Sequence, residues 1–462
     1  MSDSTSLITG VFRREHGGAW HLYSLTDRAL SSEEVPAMEP EALVSGRHIP
    51  TWLWRHSVGV SHGPEDLRTR SETQGPPGNL EYAGLQVPVS PRGYSHAVGP
   101  IHAGVIEPGH FRFSLEGEVI QSLNIRLGFQ HRGVQRLLEG QPPLRVMPLA
   151  ECISGDSTVA YALAFSRLYE EAAGWWGVSP EVELMRLVLL ELERVAIHVG
   201  DLGAIAGDIG FYPLLGLCST DRGVALGALE TLTGSRFGRG ALWPGEVRLS
   251  RKLTKEDLQP TARRLVEMWA RVEEQAQRVL DDSTARERLQ GCGRITREQV
   301  LENGFVGMAA RCTGLRRDLR LGEPLYREGA GAALDLEPDA SVLQGDAYAR
   351  FALRVEEVRR SVAWLAAVLP RLDVTCGGKG RLRVMERLDW QPGVYAKAVE
   401  GWRGPVLVAL DLDGQGRVRQ SYLRDPSVLN WHALELAVRS ELIGDFPLNN
   451  KSFNLSYAGV DL

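Results

Sequence analysis

Apolar residues recur at helical spacing along most of this chain. Residues 159–173 and 181–198 carry them at three- and four-residue intervals, which predicts two helices with buried faces. Residues 260–280 interleave apolar positions with Glu, Gln and Arg, which predicts a long helix with one solvated face. Residues 346–369 predict a further helix, which the following proline ends.

Short alternating segments predict strands beside these helices. Residues 111–120 predict two strands joined by a turn near Glu116, and residues 393–424 predict two more joined by an Asp-Gly turn. Residues 19–25 alternate partly, which indicates another strand. Helices dominate, so the predicted fold class is α+β, mainly helical, with long helices packed as a bundle beside small β-sheets.

Length and composition restrict the function classes. A chain of 462 residues with 43% hydrophobic and 24% charged residues is typical of a globular protein of two or three domains. Its net charge of −6 gives no general affinity for nucleic acid. Residues 64–79 are polar and rich in proline and glycine, as expected of a linker. We expect no secretory leader, and no apolar run reaches the ~18–20 residues that cross a membrane.

The cysteines argue against a cluster or a disulfide framework in this chain. They are widely spaced and never arranged as Cys-x-x-Cys: Cys152, Cys218, Cys292, Cys312 and Cys376. Zinc sites, iron–sulfur clusters and disulfide frameworks use paired cysteines. The sequence therefore predicts no metal site built on cysteine here, and it favours a reducing compartment.

One turn-rich segment concentrates groups that can carry protons. Residues 99–112 contain the carboxyl of Glu107 and the imidazoles of His102 and His110. Such groups relay protons when they are buried together, because burial moves their pKa values towards neutrality. A surface loop with solvated charges explains the same spacing, and the spacing alone favours that simpler interpretation.

Two further segments concentrate charged residues. Glu191, Arg194 and His198 recur at three and four residues, so they share one face of a helix. From spacing alone this face is expected to be exposed, and a buried polar network is what the family resemblance given below implies. Residues 310–320 and 345–359 are dense in Arg and Asp at spacings that suit bidentate ion pairs. A structural role is the favoured interpretation of these ion pairs.

Residues 151–161 and 445–459 resemble the paired Cys-x-x-Cys motifs of nickel–iron hydrogenase large subunits. The positions that match the metal ligands hold Ser154, Ser157, Ser456 and Gly459. Nickel in such a site is held by soft, anionic thiolates, which hydroxyl groups and a glycine do not replace. The resemblance therefore implies that the scaffold is kept and the metal is lost. The serines and threonine of the first segment also suit the cap of a helix that begins near Asp156.

The resemblance covers most of the chain, through separated motifs in the family's order. Residues 99–112, 128–139 and 399–404 are similar to motifs of the energy-converting, membrane-bound hydrogenases, the formate hydrogenlyase-like branch, and more distantly to the 49-kDa-type subunit of respiratory complex I. It implies a hydrogenase large-subunit-like helix bundle for residues 86–462. Residues 1–85 resemble a shortened 30-kDa-type N-terminal domain with its linker, a short α/β remnant.

The resemblance assigns expected roles to residues of one cleft. Glu107 matches the glutamate that passes protons beside the metal in hydrogenases, and Arg403 matches the arginine that faces the iron's diatomic ligands. In complex I the same loop approaches the quinone headgroup with a histidine, for which His110 is the candidate. We expect Glu107, His110 and Arg403 to act in the chemistry and the three serines to border the substrate. An ion pair between Glu107 and Arg403 is a further expectation.

The resemblance also implies partners. His131 and Arg132 match a pair that lines the contact with a small subunit carrying a 4Fe-4S cluster, although a helix start with solvated charges explains them equally well. Membrane-embedded, ion-translocating subunits are the other expected partners. The chain itself then holds no cofactor, and a quinone is the candidate acceptor. Its expected place is the cytoplasmic face of the cell membrane, as a peripheral subunit.

Two functions follow from the resemblance. The first is a metal-free large subunit of a complex I-like oxidoreductase complex, of the NADH-quinone oxidoreductase type, which couples redox or proton transfer in its cleft to ion translocation. The second is a non-catalytic scaffold that couples conformational change to its membrane partners. Complex I subunits carry a quinone-binding tyrosine at a position that falls near Glu151 here, and its loss favours the scaffold. An active nickel–iron hydrogenase requires ligands that this chain lacks.

Overall fold

The computed structural model describes residues 8–14, 20–25, 30–35, 92–102, 105–174, 178–328, 343–376 and 390–462. Its helices are α1 Val134–Leu138, α2 Pro143–Ala150, α3 Thr158–Ala172, α4 Pro180–Asp208, α5 Tyr212–Thr233, α6 Leu258–Asp281, α7 Ser283–Leu289, α8 Arg297–Asn303, α9 Gly307–Arg311, α10 Pro324–Glu328, α11 Ala347–Val368, α12 Pro426–Ala437 and α13 Phe446–Phe453. The predicted linker and most of the predicted N-terminal domain lie outside these residues, so the boundary near residue 85 stays a prediction.

Small antiparallel sheets accompany the helices in the described ranges. Their strands are β1 Ile8–Arg14, β2 Trp20–Leu25, β3 Leu30–Val35, β4 Tyr94–Val98, β5 His110–Glu116, β6 Val119–Arg126, β7 Leu242–Trp243, β8 Glu246–Val247, β9 Gly393–Glu400, β10 Pro405–Leu412 and β11 Val418–Arg424. The sheet orders are β1-β2-β3, β4-β5-β6 and β11-β10-β9, and β7 pairs with β8. The β5–β6 and β10–β11 hairpins are those that the alternating pattern predicts.

The bundle is built on α4, which packs against α5, α6 and α11. α4 begins where the Ser179 hydroxyl accepts from the Val182 N–H and Pro180 occupies the first helical position. A Cβ atom at Gly203 of α4 would come within 2.6 Å of the Cys218 side chain of α5, so this glycine permits the close approach of the two helices. No helix in the described ranges is apolar over a length that would cross a membrane.

The periodicity predicts most of the long helices. α3, α6 and α11 match the predicted segments, whereas α4 continues to Asp208 instead of ending near residue 198. The pattern does not predict α5, because Gly216, Gly223 and Gly227 lower its intrinsic helix propensity. Packing against α4 supplies the stability that the local sequence does not.

The β9–β10 hairpin packs on α3 and positions the site. Its turn is closed by the Gly401 N–H, which donates to the Gly404 carbonyl at 3.0 Å, and by the Gly404 N–H, which donates back at 3.2 Å. Gly404 has a φ of +142° and lies against Gly307, where a Cβ atom on Gly404 would come within 2.8 Å. The turn therefore needs glycine, and it presents Trp402 and Arg403 to the start of α3.

Candidate functional site

The two segments that resemble ligand motifs meet at the start of α3. The Ser154 hydroxyl lies 3.1 Å from the Ser456 hydroxyl, and the Gly459 N–H donates to the Ser456 hydroxyl oxygen at 2.9 Å. The Ser157 N–H donates to the Ser154 carbonyl at 3.1 Å. All three serines are buried. The structure thus brings the four positions together, although they lie in two segments separated by some three hundred residues.

These positions do not fit a nickel centre. Hydroxyl groups are hard, neutral donors, whereas this type of nickel site requires thiolates. A Cβ atom at Gly459 would lie 2.5 Å from Oδ2 of Asp425, so a carboxylate fills the place of the fourth ligand side chain. Among the described residues, no group of three or more His, Cys, Asp or Glu side chains is arranged to hold a metal ion. The local chemistry is that of a hydrogen-bonded polar site.

Gly459→Ala should lower the free energy of unfolding by about 1–3 kcal/mol, because the new methyl group must displace Asp425. Asp425 is buried and anchored by the Tyr161 hydroxyl at 2.9 Å and by the Ser427 N–H at 2.8 Å, and both bonds would be disturbed. Gly155→Ala is the matched control, since a Cβ atom there meets nothing within 4 Å. Urea denaturation measures the free energy of unfolding of both variants. An equal decrease in the two would show that Asp425 moves aside without an energetic cost.

Arg403 is paired with Asp156 and not, as expected, with Glu107. Its Nη1 donates to Oδ1 of Asp156 at 2.7 Å and its Nη2 donates to Oδ2 at 2.5 Å, which is a bidentate ion pair. Its Nε donates to the Asn454 carbonyl at 2.5 Å, and the guanidinium stacks 3.9 Å from the centre of the Trp402 ring. Burial alone would raise the pKa of Asp156, but Arg403 holds that pKa below its usual value. The cation is therefore neutralised within the site.

Glu107 borders this ion pair without joining it. Its Oε2 is buried and has no hydrogen-bond partner among the described residues, while the Ala458 N–H faces the carboxyl group. Burial raises the pKa of Glu107 and the Asp156 carboxylate raises it further, whereas Arg403 acts in the opposite direction. Glu107 thus keeps its proton to a higher pH than an exposed glutamate does. This property suits a group that takes up and releases a proton.

His110 lies at the first position of β5, and its charged neighbours are on the sheet. Burial and the guanidinium groups of Arg112 and Arg126 lower the pKa of His110, against a backbone contact with Gly99. The ring is therefore neutral at neutral pH. The structure places Glu107 beside the Arg403–Asp156 pair, whereas the charged groups that shift the pKa of His110 are Arg112 of β5 and Arg126 of β6.

Arg132 connects the two segments that resemble ligand motifs. Its Nη1 donates to the Cys152 carbonyl at 2.6 Å, and its Nη2 donates to the carbonyls of Ile153 at 2.7 Å and Ala458 at 3.1 Å. These carbonyls flank the serine positions on both segments. Arg132 therefore stabilises the geometry of the site, a role independent of the partner contact predicted for it.

Glu193 of α4 binds the free amides at the start of α3. Its Oε2 accepts from the Val159 N–H at 2.7 Å and its Oε1 accepts from the Ala160 N–H at 3.3 Å. Ser157 occupies the cap position but makes no capping bond with its side chain, so the expected serine cap is wrong. Burial raises the pKa of Glu193 to about 8, although the two amides oppose this shift.

The free energy of unfolding should fall as the pH rises from 4.5 to about 8, and Glu193→Gln should reduce that fall. A carboxyl group whose pKa rises from 4.5 to about 8 on folding binds its proton more tightly in the folded state. Between these values only the unfolded chain releases the proton, so unfolding gains up to about 1.4 kcal/mol per pH unit. Unfolding free energies measured across this range test the slope. Glu181→Gln, on the exposed first turn of α4, should retain the native slope, and a native slope in Glu193→Gln would contradict the assignment.

A buried charge cluster lies behind the β9–β10 turn. Its members are Glu191, Arg194 and His198 of α4, Arg311 of α9, Asp318 and Arg320 of the segment after α9, Glu357 of α11 and Glu400 of β9. Arg320 pairs with both oxygens of Asp318 at 3.0 and 2.7 Å. Arg311 bridges Glu357 at 2.8 Å and Glu400 at 2.7 Å. The buried polar network predicted for these segments is confirmed.

Three residues of the site are not predicted from the sequence. Asp156 stands between two ligand-position serines, and a lone carboxylate there is the signal that could have identified it. Asn454 has a φ of +48°, and its side chain donates to Asp201 at 2.6 Å. Asp425 precedes a proline, which signals a helix start. That signal predicts the cap of α12 but not the contact with Gly459.

This chain is similar to several known proteins. Residues 208–382 match the family described as respiratory-chain NADH dehydrogenase, 49 Kd subunit. The chain is 30% identical to the membrane-bound hydrogenase subunit alpha of Pyrococcus furiosus, over 59% of this chain and 64% of that protein. It is 27% identical to formate hydrogenlyase subunit 5 of Escherichia coli, over 79% of this chain and 62% of that protein. It is also 27% identical to an NADH-quinone oxidoreductase subunit of Akkermansia muciniphila, over 79% of this chain and 92% of that protein.

The chain therefore spans slightly less than two thirds of the first two relatives. A solved structure has the same fold: a chain of the membrane-bound sulfane sulfur reductase, an archaeal respiratory membrane complex, superposes with a TM-score of 0.72 at 22% identity. The match covers 81% of this chain and 100% of that one. It confirms the predicted fold class, a mainly helical α+β bundle with small sheets.

Proposed function

Because the chain belongs to the superfamily of nickel–iron hydrogenase large subunits and complex I 49-kDa-type subunits, we propose that it is a metal-free large subunit of a membrane-bound oxidoreductase complex. Its proposed neighbours are a small subunit that carries a 4Fe-4S cluster and membrane-embedded subunits that move ions. The names of two relatives, a membrane-bound hydrogenase and an NADH-quinone oxidoreductase, support a place in a membrane-bound redox complex. In it the chain lies on the cytoplasmic face of the membrane, as a peripheral subunit.

One observation carries the proposal: the ligand positions converge, but they are joined by hydrogen bonds of hydroxyl and backbone groups. Ser154 contacts Ser456 at 3.1 Å, and Asp425 fills the space beside Gly459. Next to them, the buried Oε2 of Glu107 has no hydrogen-bond partner among the described residues. Such a site lacks the donors for a soft metal but retains a carboxyl group suited to proton transfer.

In the proposed reaction, Glu107 exchanges a proton beside an electron acceptor. Reduction of a quinone, the candidate acceptor, to its quinol takes two electrons and two protons. The 4Fe-4S cluster proposed for the small subunit would supply the electrons, Glu107 would supply one proton, and water that reaches the cleft would supply the other. Arg403, neutralised by Asp156, and the serines border the acceptor. Reprotonation of Glu107 is the event that the complex couples to ion translocation.

Metal analysis and a quinone-reductase assay on the purified complex test the proposal. We expect no stoichiometric nickel, and quinone turnover with the electron donor of the complex. Stoichiometric nickel would contradict the argument from the four ligand positions. A complex with neither nickel nor turnover with any quinone would favour the second candidate function.

That second candidate is a non-catalytic scaffold, and the internal pairing of the site favours it. Arg403 donates to Asp156 and Asn454, and Ser154 donates to Asp156 at 2.8 Å. Side chains bound to each other in this way are already satisfied without a substrate. The scaffold predicts that removal of the Glu107 proton leaves assembly and ion transport unchanged, whereas the catalytic role predicts a large loss of turnover.

A further inference from the structure

The buried charge cluster contains more carboxyl groups than cations. In the part of the chain that the structure describes, it joins the carboxyls of Glu191, Asp318, Glu357 and Glu400 to the guanidinium groups of Arg194, Arg311 and Arg320. Burial lowers the pKa of His198, so its ring does not supply the missing charge. An uncompensated buried charge costs several kcal/mol. The excess carboxyl group makes this cluster a place that favours the binding of one proton.

Glu400 is the least compensated of the four. Its Oε1 accepts from Nη1 of Arg311 at 2.7 Å, and its Oε2 accepts from the Leu319 N–H at 3.3 Å. Within the described structure it contacts one guanidinium group, whereas each of the other three carboxyls contacts at least two. The proton of the cluster accordingly belongs on Glu400.

Charged groups approach Glu400 from α4, α9, the segment after α9 and α11. They are Arg194 of α4, Arg311 of α9, Asp318 and Arg320 of the following segment, and Glu357 of α11, which shares Arg311. Burial and the Asp318 carboxylate raise the pKa of Glu400 to about 7, while the three guanidinium groups act in the opposite direction. The group is thus poised to gain or lose a proton when a nearby charge changes.

The β9–β10 turn connects Glu400 to the cleft. Arg194 donates to the Glu400 carbonyl at 2.9 Å, which ties the end of β9 to the cluster. Two residues further on, the Trp402 indole donates to the Asp156 carbonyl at 2.8 Å. Arg403 follows and forms the ion pair with the Asp156 side chain. Glu400 is thus joined to that ion pair through Gly401, Trp402 and Arg403, three covalently linked residues.

We propose that Glu400 is a second proton-carrying residue of this subunit, which holds a proton inside the buried charge cluster and exchanges it when the charge at the Arg403–Asp156 pair changes. The inference rests on the proposed function, because the cleft is taken as the place where that charge changes. Glu400 does not border the acceptor. It stores a proton and acts through the turn that carries Arg403.

Infrared difference spectroscopy of the purified complex tests this role without turnover. In the native complex the C=O stretch of a protonated carboxyl group should titrate across neutral pH, and Glu400→Gln should remove one such band. Glu246→Gln is the control, because Glu246 is buried and pairs with Arg248 at 3.0 Å outside the cluster, so its variant should keep the band. A Glu400→Gln spectrum identical to the native one would overturn the proposal.

Two further variants keep the proposal testable if Glu400→Gln does not assemble. Asp318→Asn leaves three carboxyl groups beside three guanidinium groups and removes a negative charge near Glu400. The C=O band of Glu400 should then titrate about one pH unit or more lower. Asp156→Asn unpairs Arg403 and should lower the same midpoint. An unmoved midpoint in either variant would overturn the proposal. A titrating Glu400 band in a complex without quinone turnover would refute the catalytic function while supporting Glu400 as a proton-holding residue.

Discussion

Replacing Glu357 with alanine should lower the free energy of unfolding by about 3–5 kcal/mol, because it removes the buried carboxylate that Arg194, Arg311 and Arg320 share. Glu357 is 4% exposed, and it accepts from Arg311 at 2.9 Å, from Arg194 at 3.3 Å and from the His198 ring at 3.1 Å. Burial alone would raise the pKa of Glu357, but Arg311 and Arg320 hold it well below its usual value. The carboxylate is therefore ionised in the folded protein, where its loss is most costly.

Glu356→Ala is the matched control, one position earlier on the same helix. The Glu356 side chain is 26% exposed and pairs with Arg359 and Arg360, so its removal should cost at most about 1 kcal/mol. Urea denaturation of both variants at neutral pH gives the comparison. A lowered pKa contributes stability above the unfolded-state value and loses it as pH falls, so the deficit of Glu357→Ala should narrow in acid. Equal costs for the two variants would contradict this account of the cluster.

The elements that depend on local pattern are the predictable part of the fold. α3, α6 and α11 end within two residues of the limits predicted by apolar spacing and by proline. α5 is stabilised by packing against the surface of α4, which the local sequence does not reveal. Its glycines lower the helix propensity, so the local sequence alone does not predict this helix. The sequence therefore predicts an α-rich bundle but not its full helix count.

The candidate site is likewise only partly predictable from the sequence. The segments that carry Ser154 and Ser456 both match one family pattern, so their meeting follows from the order of the motifs. The partner of Arg403 does not follow, since Glu107 and Asp156 both lie in matching motifs and only tertiary geometry decides between them. A carboxylate that occupies the space beside a glycine is equally invisible in sequence, because the glycine has no side chain to suggest a contact.

The geometry makes Glu107 the residue on which the two candidate functions differ most. A scaffold needs Glu107 only as a buried side chain, for which an amide of the same shape is adequate. A catalytic cleft needs its proton. Burial raises the pKa of Glu107, and the Asp156 carboxylate raises it further. Among the described residues, Oε2 has no hydrogen-bond partner that would favour one protonation state of the carboxyl group. The pairing of Arg403 with Asp156 leaves this proton free to exchange.

Glu107→Gln is accordingly expected to reduce quinone turnover of the assembled complex by about 10²–10⁴-fold, because an amide cannot release a proton. Glutamine keeps the size of glutamate, and its oxygen can still accept from the Ala458 N–H, so the fold and the partner contacts should be retained. In the native complex, turnover should respond to an ionisation above the pH at which exposed glutamates titrate. That limb of the pH profile should disappear in the variant.

Glu118→Gln, on the exposed turn between β5 and β6, is the matched control and should turn over at the native rate. The subunit ratio of each purified complex shows whether loss of activity reflects loss of assembly. If Glu107→Gln also retained the native rate and pH profile, the proton would not come from Glu107, and the catalytic assignment of the cleft would fail. Selective loss in Glu107→Gln, with nickel absent, would mean that the proton chemistry of this cleft operates without a metal.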